Sequence, residues 1–320
     1  MSIKKILAAA ILIPSLAWAW QPTKPVTVVI PFNPGSGNEM AFRSVIAPLE
    51  RNGFNFVIEH RTGADGNVGM NHFARQPADG YTIAVPSCQS TFVAADIHYR
   101  DVITYDPMAL SMVTNIGKSP LAFVASSDSR INTVDELIRE VRSGNRDINF
   151  AIGSAAHQLA FDYFVDKTGA DKNRVKHVPH NGPLPAVTAT AGGHIEFAIV
   201  PTAVANTLLP SGKIKILGIA GQQQLPAFPN TARMTDSVPG LNVYACWNIV
   251  LPTGTAPEIV KWYANTFNAA LNSDEYRKWA AANMVSIDKA AQGPDNLRRD
   301  MQALRTQWQS YTAAMPGPKK

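Results

Sequence analysis

Short β-rich runs alternate with helical patterns along most of this chain, and that alternation restricts the fold more than any other feature. Val26-Thr27-Val28-Val29-Ile30 is largely apolar and β-branched, as a strand buried on both faces requires. After a Gly/Pro loop, Phe42, Val45, Ile46 and Leu49 fall at i, i+3, i+4 and i+7, one face of a helix. Pro48 lies in that stretch and is expected to bend or end the helix. Further strands are expected at Phe54–Glu59, Tyr81–Val85, Ile148–Ile152, Arg174–Val178, Ile195–Val200 and Ile214–Ile219. Thr133 with Glu136 forms a capping box that opens a helix with the apolar stripe Val134, Leu137, Ile138 and Val141. Thr255 with Glu258 reads as a second box, with Pro257 in the first turn and Val260, Tyr263, Ala264 and Phe267 as the buried face. Leu297, Met301, Leu304 and Trp308 mark a last helix before a loose tail, 316–320. A βα alternation of this kind means largely parallel sheets covered by helices.

Of the 320 residues, 46% are hydrophobic and 17% charged, so the chain forms cores and is long enough for two domains. Periodicity suggests where the chain passes between them: out along Leu121–Val124, back at Gly218–Gly221. The expected division is 20–122 plus 222–320 for one lobe and 123–221 for the other, joined by a two-strand hinge.

Residues 1–19 have the form of a secretory signal peptide: Lys4-Lys5, a short apolar run from Ile6 to Leu16, then Ala17-Trp18-Ala19. The run is too short to span a bilayer as an anchor, and no cysteine follows to carry a lipid. The expected mature protein starts near Trp20 in the periplasm. The excess of five positive charges includes Lys4 and Lys5, and what remains is too scattered for a nucleic-acid surface. Two cysteines exclude a disulfide scaffold and a multi-cysteine zinc site. Cys88 and Cys246 read most simply as separate buried thiols, with pairing as the alternative.

Three loops have the composition of ligand sites. Pro31-Phe32-Asn33-Pro34-Gly35-Ser36-Gly37-Asn38-Glu39 follows a strand and opens a helix. Glycines let backbone N–H groups approach a ligand, and a helix start presents unpaired donors with partial positive charge, so the segment suits a carboxylate or phosphate. Arg61 to Gly69 contains three glycines, again between a strand and a helix. Gly153-Ser154-Ala155-Ala156-His157 follows a strand, with Ser154 placed as an N-cap. Each loop also reads as an ordinary tight turn without ligand.

Sharper readings fail on particular residues. Gly35-x-Gly37 has Met40 where a dinucleotide fingerprint needs its third glycine. Ser154 and His157 lack a nucleophile elbow and an assignable acid, which disfavours a hydrolase. The seven histidines show no metal-ligand spacing, and His180-Asn181-Gly182-Pro183 reads as a turn that aims His180 into a cleft or into solvent. No cofactor, metal or catalytic residue is expected.

Pro31-Phe32-x-Pro34-Gly35-x-Gly37, Glu59-x-Arg61-x-Gly63-Ala64-x-Gly66-Asn67-x-Gly69, Asp79-Gly80-Tyr81-Thr82, His177-Val178-Pro179 with Gly182, Pro185-Ala186 and Gly192-Gly193, and Trp247 with Pro252-x-Gly254-Thr255 occur in fixed order. In these motifs the chain resembles the tripartite tricarboxylate transporter substrate-binding receptors, the Bordetella uptake gene (Bug/TctC) family, from about Val26 to Leu271. The resemblance implies a type II periplasmic binding-protein fold, with two α/β lobes closing on a small carboxylate. It also implies delivery to integral-membrane transporter subunits or, in some relatives, reporting to a sensor kinase. It does not imply an enzyme. A monomer is expected. The ligand set expected on combining loops and resemblance is Phe32, Gly35, Ser36, Gly37, Asn38, Asp65, Gly66, Asn67, Ser87, Gln89, Ser154, His157 and His180, with Gln158 competing with His157 for one role. Ser36, Asn38-Glu39, Asp65, His180 and Val200 depart from the family pattern. Asp65 brings a negative charge close to an expected anion site.

Overall fold

The computed structural model describes residues 20–95, 99–221, 225 and 228–313; the expected leader and the tail at 316–320 lie outside them. The chain runs β1 (Val26–Ile30), α1 (Gly37–Arg51), β2 (Phe56–His60), α2 (Asn67–Phe73), β3 (Thr82–Ala84) and, after a π-helical turn at Ser90–Ala94, the long β4 (Ser111–Ser126). Then come α3 (Val134–Ser143), β5 (Ile148–Ile152), α4 (Ala155–Thr168), β6 (Val175–Pro179), α5 (Pro183–Ala191), β7 (Phe197–Pro201), α6 (Thr202–Asn206) and β8 (Ile214–Ala220). The chain closes with β9 (Ala232–Arg233), α7 (Met234–Ser237), β10 (Tyr244–Leu251), α8 (Pro257–Leu271), α9 (Asp274–Ala282) and α10 (Pro294–Ala313).

One lobe is the sheet β2-β1-β3-β10-β4, the other β4-β7-β5-β6 with β8 and β9 on the far side of β4. In each lobe a parallel trio meets antiparallel crossing strands. The sheets are therefore mixed where sequence alternation alone predicts mostly parallel pairing. Strand β4 belongs to both. Its partner is β10 up to Pro120, and from Leu121 onward it pairs with β7 and β8. Pro120 has no N–H to donate, which suits a residue at the point where ladder partners change. The return falls later than Gly218–Gly221. β9 still pairs with β8, and the chain joins the first lobe's sheet only at Tyr244. Leu121 donates to the Val243 carbonyl at 3.1 Å, so the outward and returning segments touch at the crossing.

Several helices form as their patterns dictate. The Thr133–Glu136 capping box is present, and Val134, Leu137, Ile138 and Val141 are buried. Leu297, Met301, Leu304 and Trp308 are buried on α10. Helix α1 continues through Pro48 to Arg51 with its four apolar positions inside. The second expected box does not form. Ala256 is the N-cap of α8, and the Thr255 hydroxyl turns back to donate to the Pro252 carbonyl at 2.8 Å. The buried face of α8 accordingly starts from Ile259, with Val260 only partly covered.

The buried polar side chains of β4, Thr114, Asn115, Ser119 and Ser126, are all hydrogen-bonded. Asn115 donates to the Trp247 carbonyl (3.0 Å) and to Asn248 (2.9 Å), and the Ser119 and Thr202 hydroxyls are 3.0 Å apart. Lys118 reaches Asp288 (2.8 Å) and Asp300 (3.1 Å), tying the crossing strand to the C-terminal segment. The Cys88 and Cys246 sulfurs are bonded, with Cα atoms 5.4 Å apart. The simpler reading as separate thiols therefore fails: the loop after β3 and β10 bring residues 158 positions apart side by side, a contact no local pattern reports.

Candidate ligand cleft

A cleft of about 570 Å³ lies between the lobes where the carboxyl ends of their strands converge, the usual site of ligands in α/β sheets. One wall comes from the loops after β1, β2 and β3, with Ala245 and Trp247 of β10. The other comes from the β5–α4 and β6–α5 loops, with Pro201 and Val204. The cleft thus brings together Phe32, Gly35, Ser36, Gly37, Asn38, Asp65, Gly66, Ser87, Ser154, His157 and His180, and both His157 and Gln158 face it.

Asn67 and Gln89 do not line it. The Asn67 amide donates to the Ala64 carbonyl (2.9 Å) and accepts from Tyr105 (3.0 Å), so it braces the second loop from behind. Gln89 lies in the helical backbone that leads into Ser90–Ala94, and its amide donates to the Tyr244 carbonyl. Ser90 and Tyr99 line the cleft instead. Nothing periodic in their neighbourhood marks them.

The first loop works by close approach. A Cβ added to Gly37 would lie 2.5 Å from a Trp247 ring carbon, so only glycine lets the start of α1 seat against that ring. Ser36 caps the helix by accepting from the Glu39 N–H. The Gly37 and Asn38 N–H groups, in the first turn, have no acceptor within their own helix. Gly35 is different: its N–H is taken at 2.8 Å by Glu39, which also accepts from Arg43 at 2.7 Å. Burial works against the Glu39 charge, but the Gly35 and Arg43 bonds outweigh it and hold the carboxyl below its ordinary range.

Two amides of the second loop are spent internally. Gly66 donates to Gly63 (3.0 Å), and Asn67 donates to Ala64. Of the backbone donors expected around Gly35–Asn38 and Gly66–Asn67, those of Gly35, Gly66 and Asn67 are thus engaged within the chain, and those of Gly37 and Asn38 have no acceptor in their helix. What the second loop offers is Asp65, whose Oδ2 accepts the Ala155 N–H of the opposite lobe at 3.2 Å. Asp65 is half-buried as a residue, yet the packing round its carboxylate pushes its pKa up to about 6, against hydrogen bonds from Ser90 and Ala155. A second bridge crosses the cleft from the Asn33 amide to the Asn181 carbonyl, at 3.3 Å.

On the other wall Ser154 is the N-cap of α4 and accepts from the His157 N–H. His157 is buried; its Nδ1 has no hydrogen-bond partner, and burial lowers its pKa to about 3, so the ring is neutral. No acid orients it, and the Ser154 hydroxyl is engaged as a cap. The His180 ring faces the cleft with Nδ1 donating to the Val178 carbonyl at 2.9 Å, which leaves Nε2 as its outward nitrogen. No Lys or Arg is among the described residues that line the cleft. No group of three or more His, Cys, Asp or Glu there is arranged to hold a metal. No helix is long and apolar enough to cross a membrane among the described residues.

Two α/β lobes, a crossing strand shared by both and a cleft between them give the fold seen in solved periplasmic binding proteins. Residues 42–306 match the tripartite tricarboxylate transporter family receptors, and the chain belongs to that family. It is 28% identical over 258 residues to protein BugT of Bordetella pertussis, covering 79% of this chain and 78% of that one. Among solved structures it is similar to Rpa4515 of R. palustris, solved with adipate, at TM-score 0.84 and 26% identity, covering 90% and 96% of the two chains. It shares its fold with the periplasmic binding protein BugD, at TM-score 0.82 and 23% identity, covering 91% and 97%. The family is one of transporter receptors, not of enzymes.

Proposed function

We propose that this protein captures a small organic carboxylate between its lobes and hands it to the membrane subunits of a tripartite tricarboxylate-type transporter. The observation that carries the reading is the start of α1. Gly37 is pressed against Trp247, so the N–H groups of Gly37 and Asn38 stand at the cleft wall with the positive end of the helix behind them. With no Lys or Arg in the lining, binding rests on such backbone donors, each contributing ~1.5–3 kcal/mol to a charged acceptor. A few of these, after the cost of association, suffice for micromolar affinity. The relative solved with adipate supports a carboxylate as cargo.

Ser154, His180 and Gln158 from the second lobe complete the enclosure, and cargo shifts the lobes toward their closed arrangement. Removal of residues 1–19 on export leaves Trp20 as the first residue. Its ring packs on Tyr81, Trp262 and Tyr263 with centroids 5.5–6.0 Å apart, so the new terminus is held against the first lobe.

The test is isothermal titration of the chain from Trp20 with linear and aromatic carboxylates. Saturable binding to at least one, at micromolar affinity, is expected. The absence of heat with every acid at millimolar concentration would refute the reading.

A further inference from the structure

The second loop places an acid where it meets the opposite lobe. Asp65 has φ 53° and ψ 38°, a left-handed conformation that Asp, Asn and Gly tolerate best. From there its carboxylate spans the cleft to the Ala155 N–H, the first residue of α4. The Ser90 hydroxyl supports the same carboxylate, and Tyr99 beside it feels its charge. The opening of α4 therefore already holds an anion, and the chain itself supplies it. No Lys or Arg stands among the described residues of the lining to neutralise a second one. On the first lobe the Gly37 and Asn38 N–H groups stand in the lining as donors for cargo. The second lobe adds the apolar side chains of Pro183, Leu184, Pro185 and Val204 to the lining, beside the polar Ser154, Gln158 and His180.

We propose that Asp65 sets the class of cargo. Its carboxylate occupies the place at the start of α4 that a ligand's second carboxylate would take, so the cleft accepts acids with one carboxylate and a neutral or hydrogen-bond-donating far end and rejects dicarboxylates. This rests on the receptor reading above and narrows it.

The test uses pairs matched in length, such as hexanoate, 6-aminohexanoate and adipate, extended to chains of about four to eight carbons. Each is titrated at neutral pH into wild type, Asp65→Asn and Asp65→Gly. Both replacements suit the left-handed backbone, and circular dichroism confirms that each variant is folded. Wild type is expected to bind a monocarboxylate on the order of tenfold or more tighter than the dicarboxylate of equal length, because unpaired like charges in one site repel. Asp65→Gly vacates the opening of α4 and reverses that order; Asp65→Asn narrows the gap. Dicarboxylates bound by wild type as tightly as monocarboxylates would overturn the proposal while leaving the receptor reading intact. So would a preference unchanged in both folded variants. Binding of none of these acids overturns this inference, and the receptor reading falls with it only where aromatic carboxylates give no heat either.

Discussion

Replacing Asp65 by Asn tests whether the carboxylate bridging the lobes is held under electrostatic strain. In the folded protein its pKa stands at about 6 against an ordinary 3.8, because burial penalises the charge more than its hydrogen bonds favour it. The folded state therefore holds the proton more tightly than the unfolded chain does. Stability from this group is fully present below about pH 4 and is lost as the pH rises through about 6. At about 1.4 kcal/mol for each tenfold change in proton affinity, the displacement sets an upper bound of about 3 kcal/mol. Asn keeps an oxygen for the Ala155 N–H but accepts more weakly than a carboxylate, which returns roughly 1 kcal/mol. Near pH 7 the variant is thus expected to be about 1–2 kcal/mol more stable than wild type, a rise of a few degrees in thermal midpoint. Near pH 4 the gain disappears. The assay is thermal unfolding of both proteins across that interval. A variant less stable than wild type near pH 7, or a difference that does not change with pH, would refute the reasoning.

Four other perturbations follow from the same geometry. Gly37→Ala drives a Cβ to 2.5 Å from Trp247, so it is expected to cost about 1–3 kcal/mol and to weaken carboxylate binding, read by thermal unfolding and titration. Reducing the Cys88–Cys246 bond, or replacing both residues by Ala, frees a loop of 158 positions and is expected to lower stability by about 2–5 kcal/mol, seen as a drop in thermal midpoint. The His157 ring, neutral with a pKa of about 3, is expected to keep its imidazole nitrogen shifts unchanged between pH 8 and pH 5. A titration near pH 6.5 would show that it is hydrated. Lys118→Ala leaves Asp288 and Asp300 without their shared cation and is expected to destabilise by about 1.5–3 kcal/mol, measured by chemical unfolding.

The sequence makes the local elements legible and leaves their long-range relations obscure. The apolar stripes of α1, α3 and α10 read correctly because one buried face at helical spacing is a local signal. Strand β4 largely escapes it. Thr114, Asn115, Lys118, Ser119 and Pro120 interrupt its apolar run; the first four find partners in Asn268, Asn248, Asp288 and Thr202 from distant segments, and Pro120 sits where the ladder partners change. The pairing of Cys88 with Cys246 and the later return of the chain to the first lobe are relations of the same kind.

At the cleft, glycine-rich loops announce where a ligand can approach, and the structure brings both loops, Ser154 and His180 to one cleft. Which amides remain available is not legible. That depends on Glu39 folding back onto Gly35 and on the turns that consume the Gly66 and Asn67 N–H groups. Ser90 and Tyr99 enter through the irregular backbone after β3, which has no sequence period.

The most direct measurement is amide chemical-shift mapping of the labelled protein during titration with a monocarboxylate. The Gly37 and Asn38 N–H resonances are expected to move downfield and to saturate with the calorimetric affinity, while the Gly35 N–H, bound to Glu39, stays nearly still. Saturable binding that leaves Gly37 and Asn38 unmoved would show that something other than the start of α1 grips the cargo.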